Sequence, residues 1–220
     1  MTAFMLPTDL KIILLKKAKD SPATFWIIAI NVVFFLIAKV VTIFYPPFIN
    51  VLAFKPSDII QGGRWWTLFT SMFIHAGMFH LFANMVSLMY LGSFAEKLIK
   101  SKRLLGVYLI SGIFGSILCT LLSKPNIAGV GASGAIFGIA GMLAVLTPKL
   151  PVYLLFIPVA IPMWFGVIML MFILWLLTVL AGLPVGNATH LGGLITGLIY
   201  AKYLQYKHPQ NSKKVSDHYR

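Results

Sequence analysis

A serine and a histidine in two separate apolar segments are the residues of this chain best suited to chemistry. Ser133 stands between glycines in Gly131-Ala-Ser-Gly134, and His190 opens a later apolar segment. A serine hydroxyl is a weak nucleophile unless a base lies within about 3 Å of it. A serine in the first turn of a helix would also meet unpaired backbone N–H groups, which stabilise developing negative charge. These residue types therefore predict acyl transfer through a serine nucleophile.

Glycines in the same two segments would allow the close approach that such chemistry needs. Gly134 and Gly138 follow the serine at helical spacing, and Gly193 and Gly197 follow the histidine. Small residues spaced four apart let two membrane helices pack with their backbones in contact. His190 shares a helix face with its pair of glycines. We therefore expect these glycines, together with Gly131, to be packing residues that bring the imidazole to the hydroxyl.

A third, acidic member of a triad is not expected at this site. The chain has five acidic residues, and each is placed in a tail, in the first loop or at a helix end: Asp9, Asp20, Asp58, Glu96 and Asp217. The sequence thus predicts a serine–histidine dyad whose imidazole is oriented by packing. Phe137, one helical turn after Ser133, is the expected stacking partner of His190.

Two further polar residues are expected near the dyad. His80 and Asn84 are four apart, so they share a helix face. They, Ser133 and His190 fall in the first halves of apolar segments that run in the same direction, which places them at one depth. Polar groups in a bilayer tend to face one another or a cavity. His75 is rotated about 140° from His80 on a continuous helix, so we expect it to point elsewhere and to be structural.

Composition assigns the chain to the membrane. Of its 220 residues 59% are hydrophobic and only 10% are charged, and the mean hydropathy is +0.90. The net charge of +13 comes from basic residues that separate apolar runs, which fits membrane topology and not nucleic-acid binding. One cysteine, Cys119, excludes an internal disulfide and a cysteine metal cage. We expect no metal and no cofactor.

Six segments have the length and apolarity of membrane spans. They are residues 23–44, 71–94, 104–122, 133–147, 163–181 and 188–205. Lysines and arginines concentrate on one side, which predicts cytoplasmic termini. The expected organisation is a cytoplasmic segment over 1–22, a six-helix intramembrane domain over 23–205 and a basic cytoplasmic tail over 206–220. Residues 152–162, which contain two prolines, are expected along the cytoplasmic interface.

The fourth span is unusually short. Fifteen residues give about 22 Å of helix, against a hydrocarbon core of roughly 30 Å. Its start, at Ser133, must lie below the outer surface, and the irregular stretch 123–131 must descend to it. Irregular backbone at that depth needs surrounding protein or a water-filled cavity. The first loop, 45–70, carries Trp65 and Trp66, which predicts partial insertion at the headgroup level.

These motifs resemble those of the rhomboid intramembrane serine proteases, over all six spans. The matching elements are His75-x4-His80-x3-Asn84, Gly131-x-Ser133-Gly134 and His190-x2-Gly193-x3-Gly197. The resemblance implies a six-transmembrane-helix bundle with a short, central fourth helix and a partly inserted first loop. It implies Ser133 as nucleophile, His190 as general base and acid, and an oxyanion pocket formed by His80, Asn84 and the Ser133 backbone N–H.

The resemblance also implies an activity: an endopeptidase of the cell membrane that cleaves single-pass transmembrane substrates near the outer face through an acyl-enzyme. Three positions depart from the family pattern. Thr67 stands where an arginine commonly follows tryptophan, Phe137 where a tyrosine often stacks on the base, and Thr189 where alanine often precedes the histidine.

Two other classes of protein compete with the protease. A non-catalytic rhomboid-like protein would bind and escort transmembrane helices, but such relatives typically lack the serine or the histidine. A transporter would account for the broken helix but gives no reason for Ser133 and His190 to share a depth. Zinc and aspartyl intramembrane mechanisms are excluded, because the chain has no His-Glu-x-x-His motif and no pair of intramembrane aspartates.

Overall fold

The computed structural model describes residues 19–154, 159–183 and 185–218 as a predominantly helical chain. Its α-helices, in chain order, are α1 (Pro22–Phe44), α2 (Phe48–Leu52), α3 (Pro56–Ile60), α4 (Thr67–Thr70), α5 (Met78–Ser87), α6 (Ser93–Ile99), α7 (Ser101–Leu122), α8 (Ser133–Leu146), α9 (Met163–Ala181), α10 (Asn187–Lys207) and α11 (Pro209–His218). A 3₁₀ turn covers Ser71–Phe73, and a π-helical turn, Leu88–Gly92, joins α5 to α6.

Four helical segments in the described part of the chain are long and apolar enough to cross a membrane. They are Pro22–Phe44, Met78–Ile99, Ser101–Leu122 and Met163–Ala181. Large apolar side chains are exposed along their outer faces, such as Ile30 and Leu36 on α1 and Phe172 on α9. Lipid is the solvent that suits such surfaces. The chain is a multi-pass helical membrane protein.

The short helix α8 lies among the other helices. Eleven of its 14 residues are buried, and it packs mainly against α10 and α7, with further contacts to α9. A helix that is apolar on all sides is suited to such an enclosed position. Its partner α10 has 21 residues but is less apolar than the four segments above. The expectation of six spans therefore depends on α8 and α10 as well.

The second span begins later than the sequence predicts. The expected range was 71–94, whereas α5 begins at Met78 and α6 ends at Ile99. Ser71–Phe73 form a 3₁₀ turn, and Gly77 is fully extended at φ −171°. The residues between 71 and 77 include Met72 and Ile74, so hydropathy does not distinguish this irregular stretch from helix.

The first loop consists of short helices that are held in place by an ion pair and by hydrogen bonds. Arg64 forms an ion pair with Asp58, with Nη1 and Oδ2 3.2 Å apart. The indole N–H of Trp66 donates to the Val51 carbonyl at 3.0 Å. Thr67 is fully buried, and its hydroxyl donates to the Arg64 carbonyl at 2.7 Å. Thr67 thus makes a loop-stabilising bond at the position where the family pattern has arginine.

The segment expected at the cytoplasmic interface contains a short hairpin. Strand β1 (Pro151–Val152) pairs antiparallel with β2 (Ile161–Pro162). Residues 155–158, within the same segment, lie outside the described residues. The expected N-terminal segment 1–22 is described only from residue 19, and α10 extends to Lys207, two residues past the expected end of the helical domain. Within the expected tail, Pro209–His218 is helical.

A buried glutamate joins three helices at the end of the bundle away from Ser133. The Glu96 carboxylate accepts bonds from the backbone N–H groups of Ala23 and Thr24, both at 2.8 Å. It also accepts the hydroxyls of Thr24 at 2.7 Å and Ser101 at 2.6 Å. Four donors compensate the desolvation of this carboxylate. The cluster fixes the start of α1 against α6 and α7.

Candidate active site

A left-handed glycine sets the start of α8. Gly131 has φ +113°, a conformation that side chains other than glycine rarely adopt. A Cβ built there would also lie 2.6 Å from Cε1 of His80. The Gly131 N–H donates to the Ser71 carbonyl at 2.9 Å. The chain then enters α8 through Ala132, so that Ser133 is the first helical residue, as the sequence predicts.

The irregular stretch before Ser133 is held by the first loop. Gly129 and Phe54 exchange both backbone hydrogen bonds, with N–O distances of 2.8 and 3.1 Å. The Ser57 N–H donates to the Pro125 carbonyl at 2.9 Å. These bonds satisfy backbone groups that cannot bond to lipid.

His190 lies within hydrogen-bonding distance of Ser133. Its Nε2 is 2.7 Å from Oγ of Ser133, and its side chain is buried. The His190 backbone N–H donates to the Gly186 carbonyl at 3.0 Å, which begins the hydrogen bonding of α10. With its proton on Nδ1, the imidazole can accept the serine proton at Nε2.

Stacking orients the imidazole. The rings of Phe137 and His190 lie 4.6 Å apart between centroids, with their planes inclined by 26°. Nδ1 of His190 is buried and has no hydrogen-bond partner within the described residues, and no carboxylate among them pairs with the ring. Packing by Phe137 therefore takes the place of the acidic residue that orients the base in a triad.

The backbones of α8 and α10 are in direct contact. A Cβ on Gly193 would overlap the Gly134 carbonyl oxygen, and one on Gly197 would overlap that of Gly138. At the start of the two helices, a Cβ on Gly134 would lie 2.8 Å from Cγ2 of Thr189. Only glycines permit this spacing, which brings the serine to the histidine.

His80 and Asn84 lie beside the start of α8. Built on Gly131, a Cβ would lie 2.8 Å from Nε2 of His80 and 3.3 Å from Nδ2 of Asn84. Asn84 is buried, and its Nδ2 makes no hydrogen bond in the part of the chain that the structure describes. Two N–H-bearing side chains therefore flank the backbone that leads into Ser133.

The expectation that His75 points away from His80 is wrong. The two rings are in edge-to-face contact, with centroids 5.2 Å apart, and His75 is buried. The rotation of 140° applies to a continuous helix, whereas α5 starts only at Met78. Gly77, between the two histidines, is the sequence signal that would have warned of the break.

Sequence reasoning also missed a bond beside the loop between α9 and α10. The Asn187 amide donates to the Thr178 hydroxyl at 2.8 Å, which joins the start of α10 to the end of α9. Pro184, in the loop between them, lies outside the described residues. The bond anchors α10 three residues before His190.

Comparison with known proteins gives a consistent assignment. The family model for the rhomboid domain matches residues 62–207. RHOMBOID-like protein 1 of Arabidopsis thaliana is 36% identical over 149 residues, which cover 67% of this chain and 36% of that protein. RHOMBOID-like protein 6, mitochondrial, of the same plant is 36% identical over 141 residues, 63% of this chain and 43% of that protein. Rhomboid protease GluP of Bacillus subtilis (strain 168) is 33% identical over 157 residues, 68% of this chain and 28% of that protein.

The chain thus spans less than half the length of these relatives. The matched region starts in the first loop and runs to the end of α10, so it contains both Ser133 and His190. The match covers well over half of the chain, and the chain belongs to the rhomboid family.

Proposed function

We propose that the protein is an intramembrane serine endopeptidase that cleaves transmembrane helices near the outer membrane face. The observation that carries the proposal is the 2.7 Å separation of Ser133 Oγ and His190 Nε2 at the first turn of the buried helix α8. A packing serine has no need of a base at that distance. The name of the relative GluP, a rhomboid protease, supports the same activity.

The proposed reaction starts with attack by Ser133 Oγ on the scissile carbonyl carbon. His190 Nε2 takes the hydroxyl proton, and the carbonyl oxygen becomes an oxyanion held by the Ser133 backbone N–H, Asn84 Nδ2 and His80. When the tetrahedral intermediate collapses, Nε2 returns the proton to the leaving amine. Water, deprotonated by the same nitrogen, then hydrolyses the acyl-enzyme.

The proposed topology is six spans, with α8 and α10 as the fourth and sixth and with residues 23–205 as the protease domain. The 14 residues of α8 give about 21 Å of helix, so Ser133 would lie below the outer surface. The basic residues near the ends of the other spans support cytoplasmic termini. A cell membrane is the proposed location. Single-pass transmembrane proteins are the proposed substrates, because such an enclosed site is reached from the lipid.

Labelling with a fluorophosphonate probe tests the proposal directly. The purified protein in detergent should be labelled at Ser133, and peptide mapping should identify that residue. Ser133→Ala and His190→Ala should each abolish labelling and cleavage of a synthetic transmembrane substrate while leaving the thermal unfolding temperature near that of the unmodified protein. Ser116→Ala, which removes another buried serine hydroxyl, is the matched control and should leave both activities intact.

The same experiment distinguishes the alternative class. A protein that escorts transmembrane helices would bind the synthetic substrate without cleaving it, and the probe would not label Ser133. Cleavage that persists in either Ser133→Ala or His190→Ala would overturn the dyad.

A further inference from the structure

The end of the bundle opposite Ser133 contains a cavity of about 230 Å³. Leu146, which lines it, is the last residue of α8, 13 residues and about 20 Å along the helix from Ser133. Leu98 and Leu204 form further apolar wall, and Ser212 lies on the covering helix α11. The proposed reaction uses none of these residues.

Two nitrogen-bearing side chains give this cavity its polar character. Arg103 and His208 both line it, and Nη2 of Arg103 is 3.5 Å from Nε2 of His208. Within the described residues, Arg103 has no carboxylate within 4 Å. A guanidinium presents several N–H donors in one plane, and one weak contact to a histidine leaves most of them free.

The acidic residue nearest to Arg103 in sequence does not pair with it. Glu96, the nearest in sequence, is turned into the bundle and accepts four hydrogen bonds from α1 and α7. The Lys207 ammonium group donates a hydrogen bond to the Tyr203 hydroxyl at 2.9 Å. Among the described residues that line the cavity, Arg103 is thus the one with a permanent positive charge.

The start of α7 adds to the positive potential. Arg103 lies in the first turn of a helix of 22 residues, where the helix dipole favours an anion. The exposed side chains of Lys100 and Lys102 lie beside it in sequence. Guanidinium groups bind phosphate oxygens through paired hydrogen bonds, so phosphate is the anion that suits this arrangement.

The walls of the cavity indicate a lipid and not a free ion. Besides Arg103 and His208, the lining includes the apolar side chains of Leu98, Leu146 and Leu204. A free phosphate ion gains nothing from leucine side chains, but the glycerol backbone and first methylenes of a phospholipid do. The cavity lies at the end of membrane-spanning helices, which is the depth of lipid headgroups.

We propose that this cavity binds the phosphate headgroup of an anionic phospholipid through Arg103 and His208. The inference goes beyond the proposed protease activity and does not depend on it, since it requires only that the bundle spans a membrane. The bound lipid would join the start of α7 to the covering helix α11.

Native mass spectrometry of the intact protein in detergent tests the proposal. The protein is titrated with dioleoylphosphatidylglycerol, with dioleoylphosphatidylcholine and, separately, with inorganic phosphate. We expect one saturable site for phosphatidylglycerol, weaker binding of phosphatidylcholine and no competition by phosphate at equal concentration. Arg103→Gln should weaken phosphatidylglycerol binding about tenfold, the effect of losing a charge-assisted pair.

Lys102→Gln is the matched control, because it removes an exposed neighbouring charge that does not line the cavity. It should weaken binding by less than about twofold. Equal effects of the two substitutions would overturn the site, since they would indicate attraction to the basic surface in general. Phosphate that displaces the lipid at equal concentration would overturn the lipid assignment. If Arg103→Gln does not fold, His208→Gln takes its place with the same expected loss.

Discussion

Replacing Gly193 with alanine tests whether backbone contact between α8 and α10 positions Ser133 and His190, the proposed catalytic pair. The added methyl group would overlap the carbonyl oxygen of Gly134, the residue after Ser133. A Cβ atom does not approach another heavy atom more closely than about 3.0 Å, so the two helices must separate by about 1 Å. The Ser133 to His190 distance of 2.7 Å would then open to roughly 3.7 Å, beyond hydrogen-bonding range.

The expected result is a loss of turnover on the order of a hundredfold or more, since general-base catalysis contributes 10² to 10⁴ in rate. Alanine is a better helix former than glycine by about 1 kcal/mol, so a loss cannot arise from helix propensity. Overpacking should lower the free energy of unfolding by about 1 to 3 kcal/mol. The initial rate of cleavage of a synthetic transmembrane substrate measures the first effect, and thermal unfolding measures the second.

Gly106→Ala is the matched control. Gly106 lies in α7, and a Cβ there meets no atom within 4 Å. The substitution should leave turnover unchanged and stability unchanged or slightly raised. Full turnover by Gly193→Ala would refute the argument that glycine contact sets the distance between hydroxyl and imidazole.

Three further substitutions examine the rest of the site and the fold. Phe137→Ala should remove the stacking on His190 and lower turnover about tenfold, whereas Phe137→Tyr should retain most of the turnover. Both are measured as rates of substrate cleavage, and a Phe137→Ala rate equal to that of the unmodified protein would refute the orienting role. Asn84→Ala should lower kcat on the order of tenfold to a thousandfold with little change in KM, measured by steady-state kinetics, and an unchanged kcat would return the residue to a structural role. Glu96→Ala should leave the Thr24 N–H unpaired and destabilise the protein by about 3 kcal/mol in thermal unfolding, and Glu96→Gln should have an intermediate effect. If Glu96→Ala were as stable as the unmodified protein, the anchoring role would be contradicted.

Hydropathy predicted the helix boundaries correctly where a helix is apolar along its whole length. The first and fifth expected spans, 23–44 and 163–181, agree closely with Pro22–Phe44 and Met163–Ala181. The pairing of Ser133 with His190 could also be anticipated, because glycine spacing reports which helix faces can meet. Backbone contact between two helices requires glycines four residues apart, and that spacing can be read from a single sequence.

Features that depend on backbone direction could not be anticipated. The segment 71–77 is mostly apolar, so hydropathy does not mark it as non-helical, and Gly77 is its one local sign of a break. The contact of His75 with His80 follows only once that break is known. The bond between Asn187 and Thr178 joins two helices across a loop. Its formation depends on how α9 and α10 approach each other, which periodicity does not report.

The main-chain bridge between the first loop and the stretch before α8 has a consequence for how freely this chain can vary. The bonding groups are main-chain amides and carbonyls of Phe54, Gly129, Ser71 and Gly131. Most side-chain substitutions in the first loop therefore leave these groups unchanged. Proline at Gly129 or Gly131 would delete an amide hydrogen, and insertions would alter the reach of the loop. The side chains of the first loop can therefore vary while these main-chain bonds keep the start of α8, and with it Ser133, in place.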